Sequence, residues 1–177
     1  ALFRFSQSRL SLIGAVMESS LGPVRSLSGD SLSGRERVQQ LFQRTFPRFK
    51  EFEPQMRSAA QLALEQWALA RAGLLDEEPY RRGYRIAILE HALEPMAAQL
   101  APAALARLHR ALSVIYGIEP YVILKDIWGA SDREVERTAL WMADALIDAA
   151  LRDAAQAEAL PKAAAPRRPR STVALVR

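Results

Sequence analysis

Residues 111–124 read Ala-Leu-Ser-Val-Ile-Tyr-Gly-Ile-Glu-Pro-Tyr-Val-Ile-Leu, and residues 139–151 read Ala-Leu-Trp-Met-Ala-Asp-Ala-Leu-Ile-Asp-Ala-Ala-Leu. The first stretch has a single charge, Glu119, and the second has only Asp144 and Asp148. A helix resting on the surface of a globular protein needs an apolar stripe about 100° wide. Both stretches are apolar well beyond that. Asp144 and Asp148, with Arg137 and Arg152, mark one narrow wetted stripe on the second helix. The rest predicts burial on two sides, one against the chain's own core and one against a further surface. A second copy of the same chain is the simplest such surface.

The turn between the two helices is signed at both ends. Gly129 suits the left-handed residue that closes a helix. Ser131 followed by Glu134 fits a capping box opening the next one. Residues 104–126 and 131–152 therefore predict a helical hairpin, paired with its copy as a four-helix bundle. Leu108, Leu112, Ile115, Val135, Met142 and Leu146 are its candidate interface residues. The pattern leaves open which face looks inward and which outward.

Working outward, Ser33 with Glu36 gives a second capping box, opening a helix to about Phe46, where Pro47 is expected to end or kink it. Glu53-Pro54 places proline at a helix start. That helix runs to about Ala72 and stops at Gly73, with Met56, Ala60, Ala63, Leu64 and Trp67 as its apolar face. Residues 79–100 predict another helix, carrying Tyr84, Ile88, Leu89, Ala92, Leu93 and Met96. A short helix over 8–20 comes before all of these, followed by a Gly/Pro/Ser-rich connection. With the hairpin, the pattern is an all-α, six-helix bundle.

Half of the 177 residues are apolar, enough for a core, and no long run alternates with period two. There is no cysteine, so neither disulfide nor thiolate metal chemistry is available. No apolar run reaches the roughly 20 residues a membrane helix needs. With no signal peptide recognised, the reading is a cytoplasmic protein with no membrane partner. Residues 1–50 carry eight Arg/Lys and three Asp/Glu, residues 51–156 eleven and sixteen, and residues 157–177 five and one. Basic ends flank an acidic middle. A basic N-terminal part fits nucleic acid, and it fits a plain solvated surface equally.

Metal chemistry finds little footing. Glu90, His91 and Glu94 share a helix, but a di-iron bundle needs Glu-x-x-His on two helices and a Glu on two more. No metal and no cofactor are expected. Glu65, Glu94 and Glu119 could meet inside a bundle, but no spacing requires it. The expectation is a protein that is not an enzyme. A ligand cavity is the more productive reading. Phe42 and Trp67 would supply walls, Gln61 and His91 polar anchors, with Ile88 alongside and Tyr116 closing the site. The same residues also describe an ordinary packed core.

Residues 1–13, Ala-Leu-Phe-Arg-Phe-Ser-Gln-Ser-Arg-Leu-Ser-Leu-Ile, resemble the end of the DNA-binding domain of the tetracycline-repressor (TetR) family. That region reads Thr/Ala-Leu-Tyr-x-His-Phe-Pro-Ser-Lys-x-x-Leu. Leu2, Ser8 and Leu12 match, Phe3 stands for Tyr and Arg9 for Lys, while Ser6 and Gln7 replace Phe and Pro. Gly117-Ile118-Glu119, Leu124-Lys125-Asp126 and Gly129-Ala130-Ser131 are similar to the Gly-Ile-Glu, Leu-Arg-Asp and Gly-Leu-Ser of the family's last two helices. The resemblance spans about residues 1–155.

It implies a one-component transcriptional regulator, most often a repressor. Such a protein is a homodimer on operator DNA whose helical domain takes a small apolar or aromatic effector. It implies a DNA-binding remnant and connecting helix at 1–22, a linker at 23–32, a ligand-binding and dimerisation domain of the TetR C-terminal type at 33–156, and a basic, disordered tail at 157–177. Phe3, Arg4, Ser8 and Arg9 would then touch DNA phosphates, which position rather than specify. Most of the reading helix would precede Ala1, so this chain should not select a DNA sequence. The rivals are a helical adaptor dimer without effector and, further off, a carboxylate-based helical enzyme.

Overall fold

The computed structural model describes residues 32–76 and 84–159. Expectations for the helix at 8–20, the phosphate-contacting Phe3, Arg4, Ser8 and Arg9, and the tail beyond 159 lie outside the described residues. Within them the protein is all α-helical: α1 (Gly34–Glu51), α2 (Glu53–Arg71), α3 (Tyr84–Leu93) continued by a 3-10 segment (Glu94–Ala98), α4 (Pro102–Ile115), α5 (Ile118–Trp128) and α6 (Asp132–Ala159). Helix α6 thus carries regular structure through residues 157–159, which the sequence assigns to the tail.

The capping chemistry forms as the sequence predicts. Glu36 N–H donates to Ser33 Oγ at 3.3 Å, and Ser33 N–H donates to the Glu36 carboxylate at 2.9 Å. Ser131 and Glu134 repeat the arrangement at the start of α6, with Ser131 N–H on the Glu134 carboxylate at 2.8 Å. Gly129 ends α5 in the left-handed region, at φ 63°. Gly73 follows α2 at φ 68°.

Two breaks fall elsewhere than expected. Helix α1 runs through Pro47 to Glu51. Proline deprives the Gln43 carbonyl of its donor at a cost of about 3 kcal/mol, but the next turn carries Phe49, which is 2% exposed in the aromatic core. Burying one such ring contributes about 1.5–3 kcal/mol, which offsets much of that cost. The second break splits the first hairpin helix. It comes at Tyr116–Gly117, inside the stretch expected to be one helix over 104–126. Tyr116 is extended (φ −102°, ψ 94°), and Pro120 then lies in the first turn of α5, where its missing N–H costs nothing. The freed Ser113 carbonyl accepts a bond from Arg85 of α3 at 2.9 Å.

Helices α1, α6, α4 and α3 close a ring, each packed on the next, and α3 returns to α1. Helix α6 turns Val135, Ala139, Ala143, Ile147 and Ala150 inward, all buried. The three alanines let α1 and α4 approach closely. Val38, Leu41, Phe42, Phe46 and Phe49 of α1, Leu89 and Leu93 of α3, and Leu108 and Leu112 of α4 fill the interior. Helices α2 and α5 attach at one end, α5 against both α6 and α2.

The aspartates of the wetted stripe, whose side chains are 36% and 52% exposed, also join helices. Arg35 of α1 reaches both Asp144, at 2.8 Å, and Asp148, and Gln39 adds a bond to Asp144 at 3.0 Å. Gly34 opens α1 directly against Met96, and a Cβ there would collide with Met96 Cγ. Met96 is itself buried. Gly34→Ala should therefore destabilise the protein by about 1–3 kcal/mol through overpacking, although alanine is the better helix former by about 1 kcal/mol. Urea unfolding checks the sign. A stabilised variant would mean that Met96 repacks freely.

Candidate functional site

Helix α5 is fastened on one side only. Ile118 and Tyr121 face the core. The Tyr121 hydroxyl donates to Asp132 Oδ1 at 2.6 Å, and Lys125 Nζ donates to the same oxygen at 2.7 Å. Lys50 of α1 lies 3.4 Å from the other Asp132 oxygen. Arg57 of α2 forks onto Asp126 with two bonds of 2.7 Å and also holds Glu53 at 2.8 Å. These contacts tie α5 to α1, α2 and α6. Arg57 and Lys125 hold the proton more tightly than usual, through their bonds to Asp126 and Asp132 respectively.

The adjoining face of α5 carries Pro120, Ile123, Leu124, Ile127 and Trp128 at i, i+3, i+4, i+7, i+8 spacing, with Leu124 packed on the core at its edge. Ile127 is 74% exposed and Trp128 76%. Beside it, α6 presents Trp141, 69% exposed. One turn on, Ala145 is exposed too. An open groove of about 670 Å³ runs between the end of α5 and the start of α6, lined by Leu124, Trp128, Thr138 and Trp141, with Glu134 and Arg137. Glu134 is committed to the Ser131 cap. A surface of this kind, apolar, aromatic and edged by charge, is typical of an interaction site.

The interface residues expected from sequence are not the ones on this surface. Leu108, Leu112, Ile115 and Val135 are buried in the chain's own ring, and Met142 and Leu146 are half-buried against it. The reason is the ring itself: one chain supplies all four helices, so these side chains already have partners. The period-3.6 spacing through Ile123, Ile127 and Trp128 was visible in the sequence, but the adjoining Tyr121 and Val122 blurred it.

The six residues expected around a ligand separate as well. Phe42 is fully buried, with its ring 5.6 Å from Phe46 and 5.2 Å from Tyr116. The Tyr116 hydroxyl lies 3.0 Å from Thr45 Oγ1, which donates to the Leu41 carbonyl, and burial pushes the Tyr116 phenol up to about 12. Ile88 is half-buried against this core. Gln61, Trp67 and His91 point away from it. Trp67 is 62% exposed with the Arg71 guanidinium 6.0 Å from its ring, and Gln61 is exposed on the same helix. His91 is exposed and pairs with Glu94 at 3.1 Å. The inward face of α2 is Met56, Ala59, Leu62 and Gln66. Of the face expected from spacing, Met56 is buried and Ala60 packs on the core, while Leu64 and Trp67 are exposed: alanine and leucine occur on both sides of α2, so apolar spacing alone blurred the stripe.

Nor do the three candidate acids gather. Glu65 is exposed, Glu94 pairs with His91 and lies 3.6 Å from Arg37, and Glu119 is gripped by Arg85 at 2.8 Å. Among the described residues, no group of three His, Asp or Glu side chains is placed to hold a metal ion.

Two measurements check this geometry. Phe42→Ala should cost about 3–5 kcal/mol, as in a packed core, and Trp67→Ala should stay within about 0.5 kcal/mol of the parent. Equal losses would place Trp67 inside. The second concerns Asp132, whose carboxyl the Lys125 and Tyr121 hydrogen bonds depress from 3.8 to about 2. The stabilisation it gives is complete above pH ~4 and is lost as the pH falls through ~2. Its side chain is 34% exposed, and solvent screening reduces that contribution to about 1 kcal/mol. Asp132→Asn should lower stability by that amount at neutral pH and flatten the acid limb between pH ~4 and ~2, as read by thermal melts across that range.

No protein-family model, no curated protein and no solved structure matches this chain.

Proposed function

We propose that this chain is the dimerising part of a one-component transcriptional regulator of the TetR kind, with two copies meeting through the outer faces of α5 and α6. The observation that carries the dimer is the exposed apolar face bearing Ile127, Trp128 and Trp141. The regulator half of the reading rests on the sequence resemblance. Each of its hairpin motifs has a structural task here: Gly117 at the break before α5, Glu119 on Arg85, Lys125 and Asp126 in the ion-pair network, and Ser131 in the cap of α6.

A two-fold axis between two α5–α6 pairs would stack the four helices and cover the tryptophans. A lasting homodimer buries about 2,000 Å² or more in total. Operator DNA and a small effector are the partners this reading expects for the full-length protein. A second reading, a helical adaptor dimer without effector, gains support from Phe42 and Tyr116, which pack on each other where a cavity was expected.

Sedimentation should show a dimer that dissociates on dilution, with tryptophan emission moving to longer wavelength as Trp128 and Trp141 enter water. Ile127→Glu and Trp141→Glu should each raise the dissociation constant at least about 100-fold, equivalent to ~2.7 kcal/mol, with helicity unchanged. A parent protein that stays monomeric at every concentration overturns the dimer. Native mass spectrometry of protein from its host then separates the two readings: a dimer retaining a small molecule is the regulator, and a bare dimer is the adaptor.

A further inference from the structure

Arg85, in the first turn of α3, uses its two terminal nitrogens on two different helices. Nη1 donates to the Ser113 carbonyl at 2.9 Å. Nη2 donates to both carboxylate oxygens of Glu119, at 3.0 and 2.8 Å. Ser113 lies in the last turn of α4 and Glu119 in the first turn of α5, so one guanidinium spans the break between them. The Arg85 side chain is only 22% exposed. Gly117, inside the break, makes room for it: a Cβ there would lie 2.8 Å from Arg85 Nη2 and 2.7 Å from the Glu119 carboxylate. One residue on, the Ile86 carbonyl lies 3.0 Å from His109 Nε2 of α4, which holds the same turn of α3 in place.

Where a helix is unbroken, its own hydrogen bonds fix its direction. At Tyr116–Gly117 that ladder is interrupted, and the soft dihedrals of two residues leave the direction of α5 to side-chain contacts. Lys125 and Asp126 are tied to Asp132 and Arg57, and both sit in the second half of the helix. The first turn has Ile118 in the core and Glu119 on Arg85. Apolar burial is non-directional, whereas a planar guanidinium fixes where its partners lie. From Glu119 to Ile127 the helix advances about 12 Å, so a tilt of ~10° at the first turn moves Ile127 by ~2 Å. Interface cores pack as densely as protein interiors, and a shift of that size breaks such packing.

We propose that Arg85 is the positioning residue that latches the first turn of α5 onto α3 and α4, and that the outer α5–α6 face is aligned for pairing only while this latch is closed. The second clause rests on the dimer reading; the latch itself does not. Arg85 is not among the residues lining the α5–α6 groove, so a change confined to α3 reaches that face through the break. Pairing of two copies thereby becomes sensitive to whatever moves the start of α3.

Amide hydrogen exchange on dilute, monomeric protein and sedimentation of the same variants test it. Arg85→Met keeps the stem and removes the bonds to Ser113 and Glu119. Amides 122–125, which donate to carbonyls 118–121, should then exchange about 5- to 10-fold faster, with those of 139–150 in α6 unchanged. The dimer dissociation constant should rise by about the same factor. Glu119→Gln keeps the shape of the side chain and the Ser113 bond. It should act in the same direction but more weakly, and adding Arg85→Met to it should cost less than Arg85→Met does alone. Unchanged exchange at 122–125 overturns the latch. So does an equal acceleration in α6, which marks a general loss of stability. If Arg85→Met does not fold, Glu119→Gln decides by the same comparison. Faster exchange in α5 with an unchanged dissociation constant overturns the link to pairing. A parent that stays monomeric overturns the dimer reading and that link together, and the exchange comparison still decides the latch.

Discussion

Everything else in this protein follows from the closeness with which α6 packs into its own chain. Its inward face is small, with Ala139, Ala143 and Ala150 between Val135 and Ile147. Small residues bring backbones together and increase the number of dispersion contacts, each weak alone. Helices α1 and α4 lie against that face, and α3 completes the ring. The electrostatics reinforce the packing: Arg35 of α1 spans Asp144 and Asp148, and Arg107 of α4 takes Asp153. These pairs are largely exposed and contribute little energy individually. They fix which helix lies on which side of α6.

Much of this was legible in the sequence, and what was legible was local. Ser33–Glu36, Ser131–Glu134, Pro54, Gly73 and Gly129 act within one turn of chain, and each forms as read. What the sequence could not decide were choices made by distant residues. Pro47 stays inside α1 because Phe49 meets Tyr116 at the end of α4 and Tyr121 of α5. The break at Tyr116 depends on Arg85, some 30 positions earlier, which fills the carbonyl left open at Ser113. Faces were harder still. The hairpin is apolar nearly all round, so its period could not say which leucines belong to the chain's own core. For the candidate site, the residue types were legible and their sides were not: Leu108, Leu112 and Val135 are inside, Ile127 and Trp128 outside.

The aromatic cluster bears on what the interior can do. Phe42, Phe46, Phe49, Tyr116 and Tyr121 meet at ring separations of 5.0–6.5 Å, within the range for favourable aromatic pairs. Two hydroxyls in this apolar setting need partners, and each has one: Thr45 for Tyr116 and Asp132 for Tyr121. Both tyrosines thereby link the interior to elements at its edge, Tyr116 to α1 and Tyr121 to the start of α6. A ligand entering between Phe42 and Tyr116 would have to separate a tilted ring pair and break the Thr45 bond. That cost is borne only by a ligand that replaces both contacts.

Helix α6 reverses the usual arrangement of large residues inside and small ones outside. Its alanines face the core, and Trp141 stands in solvent. Helix α5 adds Ile123, Ile127 and Trp128 on the adjoining surface. Scattered exposed apolar residues need no explanation, but these lie on two neighbouring elements, and Trp128 and Trp141 line one groove. The inward alanines follow from the ring, which demands close approach. The outward tryptophan and isoleucines do not follow from anything inside the chain. The ion pairs of Arg57 and Lys125 anchor α5 with that face turned out. An apolar surface held in place by charges on its far side is built to meet another surface. The proposed partner, a second copy rotated by a half-turn, would bring a surface with the same spacing and the same groove.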